Sequence, residues 1–237
     1  MKKKIFEKGL PTLDFIFKNW PRSKYVLKKY VTSRQIRPNL FILSKFCLDE
    51  LNYLGRTPLF YSLEKISKIC SKNLYNNYHN EHHFKAVLIF SFLIAKNYSL
   101  KNNEKIILII IALAHDMNHL GKRLISAPYH QEKKTIKDLE RIIFRKILNH
   151  KIWKKIEKII LKTYFLDNSI SKKDNLEKII LKSDLICSVI FNDNVGKVFT
   201  KRLKYERQLS DSTESLFINF KKNLENKLPI SDKLKFL

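Results

Sequence analysis

Residues Lys105–Asp116 read KIILIIIALAHD: an unbroken apolar run, Ile106–Ala114, closed by an adjacent histidine and aspartate. Period alone leaves this run open between a buried strand and a buried helix, because its isoleucines suit a strand and it has no polar face. No hairpin turn and no alternating strand flanks it, so it reads as a helix buried on all sides. The rest of the chain agrees. Prolines at 11, 21, 38, 58, 128 and 229 leave two long windows, 59–127 and 129–228, in which helices can run uninterrupted. Inside them LERIIFRKIL, WKKIEKIILKTYF and LEKIILKSDLICSVIF repeat apolar residues at three and four positions, with Lys and Glu between. Lys154 with Glu157, and Lys173 with Glu177, are helix-spaced pairs of the kind found on surfaces. The expectation is an all-α, compact multi-helix bundle. Residues 1–60, which hold most of the prolines, are expected to form an N-terminal helical cap on a main domain over 61–237.

Composition narrows the class. The chain has 237 residues, 44% of them hydrophobic and 12% aromatic, which suits a globular protein with a real core. Its formal charge of +25 invites an anionic partner. The lysines are scattered, however, and Lys, Asn and Ile are abundant throughout, as A/T-rich coding dictates. Nucleic acid is therefore the weaker reading of the charge, which would still draw in a phosphate ester. Three cysteines, Cys47, Cys70 and Cys187, lie far apart in apolar stretches, as reduced buried thiols do in a cytoplasm. The basic start MKKKIFEKGLPTLDF is interrupted by Glu7, Lys8 and Asp14, unlike a signal peptide. Ile106–Ala114 is far short of the roughly 20 residues that a membrane helix needs. A cytoplasmic protein is expected. Four glycines leave no room for a glycine-rich phosphate loop.

Chemistry-bearing residues break the apolar helices at three places. His83 opens HFKAVLIFSFLIA, His115 and Asp116 close IILIIIALA, and Asp184 interrupts IILKSDLICSVI. An imidazole or carboxylate on such a face is costly to desolvate unless it is paired or ligated. Alone, Asp184 reads as a cap or as the partner of a buried lysine, and His83 as a satisfied core histidine. Metal ligands in a helical protein also come from inward polar residues on different helices. Upstream, YHNEHH (78–83) places His79 four residues before His83, with Asn80 suited to cap a helix.

In this order, H…HD…D resembles the HD superfamily of metal-dependent phosphohydrolases. The flanks narrow the likeness: YHNEHH is similar to the YHNxxHA signature of class I cyclic nucleotide phosphodiesterases, ALAHDMNHLG to their AxxHDxDHPG, and KSDLICSV to their last aspartate-bearing helix. The resemblance covers roughly residues 60–220. It implies a metal site between helices with His83, His115, Asp116 and Asp184 as ligands. Two divalent ions would share Asp116, zinc or another transition metal at the tighter position and magnesium or manganese at the other. A hydroxide bridging them would attack phosphorus. His79 would act as general acid, Glu140 in KDLERIIF would orient it, and His119 would stand close to the metal-bound water. STESLFINF resembles the base-gripping segment SQxxFIDF, which would put Glu214 and Phe217 on the substrate. A carboxylate there would suit guanine's paired N–H donors.

The implied activity is hydrolysis of 3′,5′-cyclic nucleotides to 5′-nucleoside monophosphates, a signalling role, with a small-molecule phosphate ester as partner. Departures are plain: Asn118 and Leu120 replace the family's second Asp and its Pro, Thr163–Tyr164 replaces Thr-Asp, and the interval from Asp116 to Asp184 is shorter than in the animal enzymes. An HD phosphohydrolase acting on another nucleotide or phosphate ester is the alternative within the enzyme class. A basic helical nucleic-acid binder is the alternative outside it. The remaining histidines, His82, His130 and His150, are expected at the rim or surface. Trp20 and Trp153 are expected as anchors, and Lys122 and Arg123 at a mouth or helix end.

Overall fold

A computed structural model describes residues 18–19, 22, 24, 28, 39–49, 51, 57–122, 127–143, 148–164, 174–186, 189 and 191–227. Arg123, Cys187, Trp20, Lys173 and most of the expected cap lie outside the described residues. All described regular structure is helical: α1 (Leu40–Asp49), α2 (Pro58–Ser71), a short 3-10 turn (Lys72–Tyr75), α3 (Glu81–Ala95), α4 (Asn102–Ala114), α5 (His130–Ile142), α6 (His150–Lys162), α7 (Asn175–Ile186), α8 (Asp193–Arg207) and α9 (Thr213–Lys227).

Local chemistry sets the starts. Pro58 stands at the first turn of α2, and the Thr57 hydroxyl accepts from the Phe60 N–H. Asn80, Asn149 and Asn192 cap α3, α6 and α8 in the same way. The α5 pattern expected to run through LERIIFRKIL stops at Ile142, because Ile143 turns to extended backbone.

The expectation for KIILIIIALAHD holds: every residue from Ile106 to Ala114 is buried in α4. So is every residue from His83 to Ala95 in α3. Helices apolar on all sides must be surrounded, and these two are. They pack on each other, α7 packs on both, and α1, α2 and α6 close the layer around them. Within the α3–α7 seam the Ser91 and Ser183 hydroxyls meet at 2.8 Å, so two polar groups satisfy each other inside the core. No helix of the described residues is long and apolar enough to cross a membrane. The expected boundary at residue 60 falls inside α2. Leu40, Leu43, Cys47 and Leu48 of α1 belong to the same core as α3 and α4, so the described end of the cap is part of the bundle.

Two ion-pair expectations part ways. Lys154 meets Glu157 at 2.8 Å on the surface of α6. Glu177, expected to be solvated, is fully buried in α7.

A buried ion pair locks α1 to the helix that carries His83. Lys85 and Glu81 meet at 2.8 Å inside α3, and the same Glu81 oxygen accepts the N–H of Leu40 at the start of α1. The carboxylate thus neutralises an ammonium and a helix N-terminus together. Glu81→Ala is expected to cost about 3–5 kcal/mol in urea unfolding, because the buried ammonium loses its counter-charge, while Glu81→Leu with Lys85→Met regains most of it. A Glu81→Ala protein as stable as wild type would contradict this packing.

Candidate metal centre

The site forms where α3, α4 and α7 end or cross. Asn80 caps α3 so that its first turns carry His79 just outside and His83 just inside. α4 runs out at Ala114 into a turn that presents His115 and Asp116. α7, packed along α3, brings Asp184 from 101 residues beyond His83 (184 − 83).

These four residues, expected from sequence, converge: one donor atom from each lies within 4.8 Å of the others. His83 Nε2 lies 3.2 Å from His115 Nε2, 3.4 Å from Asp116 Oδ2 and 3.3 Å from Asp184 Oδ1. His115 Nε2 lies 3.2 Å from Asp116 Oδ2 and 4.0 Å from Asp184 Oδ1. Donors about 2.1 Å from one shared ion stand roughly 3.0 Å apart at right angles, 3.4 Å at tetrahedral angles and 4.2 Å when opposed. The five separations fall in that window.

The chemistry of the donors fits a divalent cation as well. His115 directs Nδ1 at the Ala112 carbonyl, 3.1 Å away, which assigns the proton to Nδ1 and leaves the Nε2 lone pair facing the cluster. His83 Nδ1 is buried with no hydrogen-bond partner among the described residues, so the ring's polar contacts are all on its Nε2 side. Burial pushes His115 down, but Asp116 and Asp184 outweigh it and hold the imidazole up at about 9. Burial would raise Asp116, yet the facing histidines hold it well below the usual carboxylate range. Positive charge is what this point demands. The His83 and His115 side chains are at most 1% exposed, while Asp116 and Asp184 are 19% and 26% exposed, so the cluster opens to solvent on its carboxylate side.

A second group, His79, His119 and Glu206, stands beside the first. Its residue types suit a metal, but its geometry does not. The His79 and His119 rings are stacked, 3.6 Å apart and inclined by 22°, so their in-plane lone pairs run side by side and cannot aim at one ion. The donors are already engaged. Glu206 Oε2 accepts the backbone N–H groups of Tyr78 and His79, at 2.7 and 3.0 Å, and Oε1 bonds His79 Nδ1. His119 Nδ1 accepts the Gly121 N–H at 3.1 Å. This is a hydrogen-bond relay: Glu206 holds His79 by its Nδ1, and His79 Nε2 points to Asp116, 3.7 Å away.

Glu206 was not among the residues expected from sequence; Glu140 was expected in its place. The structure puts Glu140 on the exposed side of α5, next to the buried Leu139, and the helical phase that buries Thr135 and Leu139 turns it outward. Glu206 lies 127 residues from His79, in KYERQ, a context that reads as a basic surface helix. Only its full burial reveals it. Glu132 in the first turn of α5 was also missed; burial and the negative charge of Asp116 push its carboxyl up. Asn118 donates to Thr135 and Asp138, tying the turn that carries His115 and Asp116 to α5.

The other expected residues are not brought to the cluster in this way. Glu214 is exposed on α9 and pairs with Lys197 at 2.8 Å, and Phe217 is buried under the Lys221 ammonium. His82 is half-buried, pushed down to about 4 by burial and then by Lys85 and Arg202, so it is neutral near pH 7. His119 is likewise held at about 4, by burial and by the neighbouring His79. His130, His150 and Lys122 are exposed, as expected, and Trp153 packs against the core. No family model matches this chain, and a comparison with curated proteins finds no match either.

Burial would raise the Glu206 carboxyl, but the hydrogen bond and charge of His79, with the two backbone N–H groups, hold it at about 2, below its ordinary 4.5. A carboxyl depressed on folding stabilises the fold above its unfolded pKa and loses that contribution as pH falls to its folded one. Glu206→Gln should therefore flatten the fall in stability between pH 4.5 and 2 in denaturant titrations. An unchanged slope would show that the relay does not carry that charge.

Proposed function

We propose that this chain is a metal-dependent phosphohydrolase that cleaves phosphodiesters, 3′,5′-cyclic nucleotides foremost among them. The observation that carries the reading is the pairing of two arrangements. A solvent-facing His/His/Asp/Asp donor set lies beside a histidine whose far nitrogen is held by a buried glutamate.

His83, His115, Asp116 and Asp184 would hold a zinc-like ion, and Asp116, half-buried on the open side, would be shared with a second ion of magnesium or manganese type. Bound ions would supply a water of lowered pKa and a Lewis acid toward the phosphate oxygens. The protein's own part is proton management. Glu206 takes the His79 Nδ1–H, so a protonated His79 presents Nε2–H beside Asp116, where the ester oxygen departs. Donation from that nitrogen spares the departing alkoxide its charge. The neutral His119 stacked on it fixes the plane of the donor ring without adding a like charge. The net charge of +25 favours approach of an anionic ester.

One observation keeps a second substrate class in view. Glu214, expected to grip a base, is engaged by Lys197 in solvent, so the nucleobase match has no support from the placement of that residue. An HD phosphohydrolase acting on another nucleotide or phosphate ester is the second reading.

Leaving groups separate the roles. His79→Gln should retain bound metal and lose about 10²–10⁴-fold in kcat on a cyclic nucleotide, whose alkoxide needs a proton. It should lose less than about 10-fold on bis-p-nitrophenyl phosphate, whose phenolate leaves unaided. His83→Ala and Asp184→Ala should lose both metal and turnover on both substrates. Full activity in either ligand variant refutes the ligand set, and equal losses on the two substrates in His79→Gln refute the acid role.

A further inference from the structure

Two of the segments that carry the candidate chemistry lie outside the helices. His79 sits in the loop 76–80 ahead of α3, and His115, Asp116 and His119 sit in the turn 115–121 after α4. One side chain bridges them. Asn76 Nδ2 donates to the carbonyl of His79 at 3.0 Å and to the carbonyl of His119 at 3.0 Å. Both N–H groups of a single amide are thus spent on the backbone of the two stacked histidines. The backbone carbonyl of Asn76 in turn accepts from the Nδ2 of the cap residue Asn80 at 2.9 Å, and the Asn73 amide donates to the Met117 carbonyl at 3.4 Å. The other face of the amide rests on Gly121. That residue has φ +66°, and a Cβ there would lie 2.0 Å from Asn76 Oδ1 and 2.5 Å from Cγ. A side chain at 121 and the amide at 76 exclude each other, quite apart from the left-handed backbone that favours glycine.

We propose that Asn76 is a positioning residue that sets the His79–His119 stack, and with it the 3.7 Å approach of His79 Nε2 to Asp116, without holding the metal donors themselves. The inference rests on the phosphodiesterase reading for its functional meaning. His83 sits on α3 and Asp184 on α7, while His115 and Asp116 open the turn directly after α4, held to it by the His115 N–H bond to the Ile111 carbonyl; the mutual packing of these helices does not pass through Asn76. The loop that carries His79 has the amide as its tie to the turn. Substitution by aspartate keeps the shape but turns an acceptor-only group on two carbonyl oxygens, so the tie becomes a repulsion. A displacement of about 1 Å at a reacting group costs on the order of 10²-fold in rate.

The test compares Asn76→Asp and Asn76→Ala with wild type in the full chain. Manganese binding, measured by titration calorimetry, should stay within about threefold of wild type. The kcat on cyclic nucleotide should fall about 10²-fold with KM little changed, and the rate on bis-p-nitrophenyl phosphate should fall far less. Loss of manganese binding, equal loss on both substrates, or an unchanged kcat would each overturn the proposal. If wild type turns over neither substrate, the phosphodiesterase reading fails by itself. The contact is then read by stability: Gly121→Ala should lower Tm more in wild type than in an Asn76→Gly background, where the clash is gone. Equal losses in the two backgrounds would overturn the bridge.

Discussion

Burying ionisable groups where apolar helices meet is the constraint on which this structure depends. The apolar runs of α3 and α4 are enclosed on every side, and His83 at the start of one and His115 at the end of the other stand where the candidate centre lies. Two imidazoles in that position are desolvated at a cost, and two carboxylates face them with one donor atom of each of the four residues within 4.8 Å of the others, so the point between them draws positive charge. A divalent cation at that point would supply the positive charge in place of imidazole protons. The bundle supplies the framework: α7 crosses α3 closely, through the Ser91–Ser183 contact, and Asp184 follows Ser183 directly.

Around this centre, asparagines and glutamates do the positioning. Asn80 starts α3, Asn76 ties the His79 loop to the turn that carries His115 and Asp116, and Asn118 ties that turn to α5. Glu206, delivered by α8, accepts three hydrogen bonds from residues 78–79 and so fixes both the backbone and the ring of His79. A buried carboxylate with three donors is satisfied in its ionised form, and it keeps the imidazole's far nitrogen turned to the open side. Tyr78 packs between the His79 and His83 rings and Phe199 of α8, so the same helix that brings Glu206 also closes the apolar side of the site.

Much of this was legible before any coordinates. An apolar run without a polar face reads as central, and the polar breaks in three apolar helices, taken in the order H…HD…D, picked out the four residues that the structure brings together. The cap at Asn80 was written in local chemistry. What escaped was the long-range pairing of isolated charges. Glu140 sits in a stretch with the expected flavour, but helical phase points it outward. Glu206 sits among lysines and arginines and faces inward, and no periodicity separates the two cases. Glu177 shows the same limit, since a helix-spaced lysine made it look solvated. Asn76 carries no sequence signal at all; its role follows from Gly121, whose left-handed turn leaves room for its amide.

The most direct measurement is anomalous diffraction at the manganese edge from crystals grown with manganese. The predicted result is a peak about 2.0–2.4 Å from His83 Nε2, His115 Nε2 and the facing oxygens of Asp116 and Asp184, with none between His79 and His119. Manganese bound elsewhere, or a cluster whose four side chains keep their mutual contacts with no peak among them, would contradict the central claim that this is a metal centre.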